Sequence, residues 1–101
     1  MNKYGFVAKM RTHAGKRDEL LAILLQAAEG MHSIPCCQLY IAGKDAKDDN
    51  LIVVMEIWDS KEAHDNSLKD ENAKALIAKA MPLLDGMPEG NSVELSGGKG
   101  I

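Results

Sequence analysis

The stretch LIVVMEIWDSKEAH, running from Leu51 to His64, decides the fold. Its first five residues are continuously apolar, and Glu56 is the sole charge before Asp59. The run closes on Trp58, the only tryptophan of the chain. Leu51 to Trp58 reads as a strand at the centre of a sheet, apolar enough to be buried on both faces. Strand alternation puts Glu56 on the same face as Val54 and Trp58. Asp59-Ser60-Lys61-Glu62 has the spacing of a capping box, so a helix opens immediately after the strand.

Working outward, Tyr4 to Thr12 alternates Tyr4, Phe6, Ala8 and Met10 with Gly5, Val7, Lys9 and Arg11, the pattern of a first strand. After the turn His13-Ala14-Gly15, the segment Lys16 to Met31 carries Leu20, Leu21, Leu24, Ala27, Ala28 and Met31 as one helical stripe. Asp18 and Glu19 suit its positive end, and Gly30 is its expected stop. Cys37 to Gly43 reads as a second strand. The polar Lys44 to Asn50 is the hairpin loop leading to Leu51, without the glycine and terminal glutamate of a calcium loop. Beyond His64 the helical region breaks near Leu68 to Glu71, and a second stripe runs through Leu76, Ile77, Ala80, Met81 and Leu84. Asp85 to Gly90 is a loop, Ser92 to Ser96 a short last strand, and Gly97 to Ile101 a flexible tail.

The order strand, helix, strand, strand, helix pair, strand predicts an α+β fold. It is the ferredoxin-like split β-α-β arrangement, a four-stranded antiparallel sheet with helices on one face. The other sheet face still carries apolar side chains, and a second copy of the chain would bury them.

At 101 residues the chain is one domain, Met1 to Ile101. With 12 Lys plus Arg against 15 Asp plus Glu, the net charge is -3, and aromatic residues make up 4%. That balance argues against nucleic acid, which needs a basic stripe and stacking platforms, and against an anionic membrane surface. No apolar run approaches the ~20 residues that span a bilayer, and no secretory leader is visible, so a cytoplasmic protein is expected. Adjacent Cys36 and Cys37 read as reduced thiols.

Phosphate loops, the GxSxG elbow and HExxH are all missing, and His13, His32 and His64 share no metal-ligand spacing. What remains is Glu56, Trp58 and His64 at one strand-to-helix corner. Trp58 is either core filler or the flat apolar wall of a cleft. His64 is either a solvated helix residue or a group that exchanges protons near neutrality. Glu56 is either hydrogen-bonded structurally or a base of raised pKa.

The segments MEIWDSKEAHDNSL (residues 55–68), KMRTHAGKRDELLAILLQAAE (9–29) and IPCCQLYIA (34–42) together resemble the antibiotic biosynthesis monooxygenase domain family, which also includes bacterial quinol monooxygenases. The resemblance covers roughly residues 3 to 98, and its most telling piece is Glu56-x-Trp58-x-Ser60. It implies a dimeric α+β barrel with the sheets back to back and a ligand cleft between sheet and helices. It also implies oxygenation of phenolic aromatics by O2 without flavin, metal or haem. On that scheme His64 and Glu56 are the catalytic candidates, while Trp58, Ser67 and Tyr40 are substrate-binding candidates. The partners it implies are a small aromatic molecule and a second copy of the chain. Ser67 stands where many relatives carry a histidine. The residues of the haem-degrading branch are replaced by Ala8, Ser67 and Ile77, so haem degradation is not expected. Two rival readings use the same cleft: a non-catalytic binding protein for a small molecule, and an isomerase of a small signalling molecule.

Overall fold

A computed structural model describes residues 2–101 and orders the chain as β1 (Lys3–Arg11), α1 (Arg17–Met31), β2 (Cys37–Lys44), β3 (Leu51–Trp58), α2 (Lys61–Ser67), α3 (Glu71–Ala80), a single 3-10 turn (Met81–Leu83) and β4 (Glu89–Leu95). The strands form one antiparallel sheet in the order β2-β3-β1-β4, the ferredoxin-like α+β arrangement. No helix among the described residues is long and apolar enough to cross a membrane.

Register places the two faces. Ala8 lies across from Val54, Phe6 from Glu56 and Tyr4 from Trp58. Tyr40 and Ala42 pair with Glu56 and Val54 from the other side. This face carries the core, where Ala8, Ile52 and Val54 pack with Leu20 and Leu24 of α1 and with Leu83. Residues of the opposite parity, Val7, Ile41, Met55 and Val93, lie on the other face. Ile41 and Met55 are each 46% exposed there. The expectation that β3 is buried on both faces is therefore met on one face only, because all helices of this chain lie on the same side.

Three local expectations are corrected. Ser60 alone caps α2, its hydroxyl accepting from the Ala63 amide at 3.1 Å. The third helical position is thus Ala63 rather than an acidic residue, so the reciprocal half of a capping box has no side chain to make it. Asp59 instead clamps the sheet edge, accepting from Lys3 Nζ at 3.0 Å and Gln38 Nε2 at 2.7 Å. Gly30 does not stop α1, which passes through it to Met31 and ends ahead of Pro35. Pro82 ends α3 at Ala80, so the stripe drawn through Leu84 is interrupted. Ile77 and Met81 are left exposed, and Leu83, outside the stripe, is buried.

The loop after β2 behaves as a hairpin loop. Asp45 Oδ2 accepts from the amides of Lys47 and Asp48, and Arg17 Nη1 donates to the carbonyls of Asp45 and Asp48. These bonds tie the start of α1 to the β2–β3 turn. A register shift between Cys37 and Leu39 keeps Cys37 opposite Trp58 and Tyr40 opposite Glu56. Gln38 is the extra residue of this bulge. Gly90 pairs with Ala8 on β1, and a β-carbon there would stand 2.5 Å from the Phe6 ring. Phe6 thus occupies space that any other residue at position 90 would claim.

Candidate functional site

The site forms where β3 gives way to α2. Strand parity sends Glu56 and Trp58 to the helix-covered face, and α2 begins three residues after Trp58. The break at Leu68 to Asp70 keeps α2 short, and His64 is its one buried residue. Asp70 then caps α3, accepting from the amides of Asn72 and Ala73.

His64 is packed among rings. Its centroid lies 4.8 Å from Phe6, 5.3 Å from Tyr4 and 5.8 Å from Trp58, the last at 82° in an edge arrangement. The reading of His64 as a solvated helix residue is overturned, since its side chain is 8% exposed. Sequence order could not show this, because the aromatic floor comes from β1.

Trp58 is fully buried, and its indole Nε1–H donates to Glu56 Oε1 at 2.9 Å. His64 Nε2 stands 3.8 Å from the same oxygen, while Nδ1 lies 3.0 Å from Asp65 Oδ1. Glu56 is structurally hydrogen-bonded, and burial pushes its carboxyl above the ordinary carboxylate value, against the opposing pull of Trp58 and His64. Burial likewise pushes the Tyr40 hydroxyl up, with the charge of Glu56 adding to it.

Above Trp58 lies an open groove of about 470 Å³ between α2 and the connection from α1 to β2. Cys36, Ser60, Ala63, Asn66 and Ser67 line it together with Trp58. The predicted site residues thus divide into two sets. Trp58 and Ser67 border the groove, whereas Glu56, His64 and Tyr40 do not line it. The Ser67 hydroxyl is already committed, donating to the His64 carbonyl at 2.6 Å. Asn66 and Asp65 escaped the sequence reading, and Cys36, read there as a reduced thiol, is placed on the groove by the structure. Asp65 carried one signal, its adjacency to His64; the rest needed the placement of α2 against the 34–36 segment.

A raised carboxyl pKa has a definite consequence for stability. The folded chain holds the Glu56 proton more tightly than the unfolded chain, so this group's stabilisation is complete below its ordinary 4.5 and is lost as pH rises toward the raised value. Glu56→Gln keeps an acceptor for Trp58 and removes the charge. Urea titrations across acid to neutral pH should show the variant gaining on wild type as pH rises. A constant difference across that range would mean that Glu56 titrates normally.

A four-stranded antiparallel sheet, helices on one face and a groove at the end of a central strand define a small ferredoxin-like α+β domain with room for a ligand over its only tryptophan. Within that class, the family model for antibiotic biosynthesis monooxygenases matches residues 4–79, and the chain belongs to that family. A candidate antibiotic biosynthesis monooxygenase from Chloroflexus aurantiacus J-10-fl is 39% identical, with 98% of each chain covered and a TM-score of 0.85. A second from Caulobacter crescentus CB15 superposes with a TM-score of 0.88 at 21% identity, covering 95% of this chain and 92% of that one. One from Deinococcus radiodurans gives 0.83 at 17% identity, with 97% of each chain covered. The latter two speak to the fold alone. No protein of curated function matches the chain.

Proposed function

We propose that the chain oxygenates a small electron-rich quinol or phenol with O2, the ring lying in the groove against Trp58. The observation that supports this reading is the position of the indole. Fully buried, it underlies the groove, and its nitrogen engages the buried Glu56 beside His64.

The chemistry asks little of the protein. A quinol that loses a proton becomes an electron-rich anion able to reduce O2 directly. One oxygen atom enters the ring and the other leaves as water, so quinol plus O2 gives hydroxyquinone plus H2O. The four electrons that O2 accepts come from the substrate. The groove orients the ring beside O2, and the buried Glu56–His64 pair, joined to the groove through the Trp58 indole, is the proton acceptor.

In the same reading the partner is a second copy of the chain, its sheet packed on the open face that carries Ile41, Met55 and Val93. The free thiols of Cys36 and Cys37 fit a reducing compartment such as the cytoplasm. One observation favours a second reading, a binding protein without turnover: neither Glu56 nor His64 lines the groove.

Oxygen uptake with a panel of hydroquinones separates the two. Turnover should consume one O2 per quinol, and His64→Ala should lower the rate roughly a hundredfold, the usual scale for losing an acid-base group. Equal background rates for both proteins would end the monooxygenase reading for those substrates. Quenching of Trp58 fluorescence by the same compounds would then establish the binding protein.

A further inference from the structure

Asp65 has no part in the reading above, yet both of its carboxylate oxygens are engaged. Oδ1 meets His64 Nδ1 at 3.0 Å, and Oδ2 accepts from Lys61 Nζ at 2.7 Å. Lys61 first, and His64 second, hold its carboxyl below the usual range. An ionised carboxylate only accepts hydrogen bonds, so the imidazole nitrogen facing it must carry the hydrogen. That leaves Nε2, the nitrogen turned toward Glu56, as the position where a proton arrives or departs. The titratable and charged groups around the ring are Glu56 on β3, Tyr4 on β1, and Asp65 with its partner Lys61 on α2.

We propose that Asp65 is a positioning residue that locks His64 as the Nδ1–H tautomer and so presents Nε2 to the buried Glu56 carboxyl. The kinetic consequence rests on the reaction proposed above, whereas the tautomer does not. A proton passing from the Glu56 carboxyl to Nε2 leaves a carboxylate and an imidazolium, and the Nδ1–H of the imidazolium stays on Asp65. No electrons change hands. Removing Asp65 frees the ring to take the other tautomer, in which Nε2 already carries hydrogen and cannot accept from Glu56.

The test compares wild type, Asp65→Ala and Lys61→Ala. The lysine variant breaks the same ion pair on the same helix but leaves the carboxylate in place, so it controls for mere loosening of α2. Nitrogen-15 spectra of the histidine rings, with the His64 signals identified by their absence in His64→Ala, are recorded near pH 8, where an ordinary imidazole is neutral. Wild type and Lys61→Ala should be protonated at Nδ1, and Asp65→Ala should populate the Nε2–H form. With hydroquinone as substrate, Asp65→Ala should lower kcat roughly tenfold and displace its pH profile, with KM changed less than about twofold. The proposal is overturned if wild type is Nε2–H, if Asp65→Ala keeps the wild-type tautomer, or if Lys61→Ala shifts as far as Asp65→Ala. If no protein turns over hydroquinone, the reaction reading fails, and the spectra alone still decide the role of Asp65.

Discussion

Trp58→Ala should cost about 3–5 kcal/mol, the usual range for emptying a buried aromatic site. A domain of this size has a net stability of roughly 5–15 kcal/mol, so the variant is expected to lose a large part of its folding margin. The indole is fully buried, so nothing compensates the lost contacts. The change also strips Glu56 of its donor at 2.9 Å, leaving a buried carboxyl with one partner fewer. Thermal melting should fall by about 15 °C or more for a chain of this length. Trp58→Phe keeps one aromatic ring but loses the N–H and the rest of the indole, so it restores part of the volume and none of the hydrogen bond. It should fall between wild type and alanine in urea denaturation. A Trp58→Ala protein that melts within about 4 °C of wild type would mean that the groove floor is not part of the core.

The second large effect is expected on the open sheet face. Met55 sits there with Val7 across it on one side and Ile41 on the other, and it is 46% exposed in the single chain. If two sheets pack together, Met55→Lys puts an ammonium into the apolar layer of Val7, Ile41 and Met55. The penalty for an unpaired buried charge is several kcal/mol per copy, enough to separate most dimers. Light scattering should give about twice 11.0 kDa for wild type and 11.0 kDa for the variant, whose circular dichroism should be unchanged. A wild-type mass of 11.0 kDa at micromolar concentration would remove the dimer from the proposed function.

Much of this architecture was legible because its signals are local. The apolar run of Leu51 to Trp58, the alternation after Lys3 and the leucine stripe of α1 each declare an element without help from distant residues. The break before α3 was legible as well, from the polar run around Lys69 and Asp70. The errors over β3, Ile77 and His64 arise from how elements sit in space rather than from local pattern. Whether β3 is covered once or twice depends on where the helices land. Whether Ile77 is buried depends on Pro82 turning the chain away. His64 misled for the same reason: helix position alone cannot show that Tyr4 and Phe6 lie beneath it.

The site was legible in part. Trp58, Glu56 and His64 belong together, as strand parity and proximity along the chain suggested, and the hydrogen bond joining two of them follows from their shared face. The division between groove-lining and hidden residues was not legible. It arises from the seating of α2 beside Cys36, a contact between segments that no short-range pattern encodes.

The bare backbone at Gly90 ties together two ends of the molecule. Because the Phe6 ring fills the place where a methyl at position 90 would sit, these sites share a single volume although one strand opens the chain and the other closes it. Phe6 in turn supports the imidazole, so bulk added at the C-terminal strand is transmitted, one ring away, to His64. In a homologue with a larger residue at 90, the position matching Phe6 has to shrink in compensation, and the histidine above it would ride lower on the sheet.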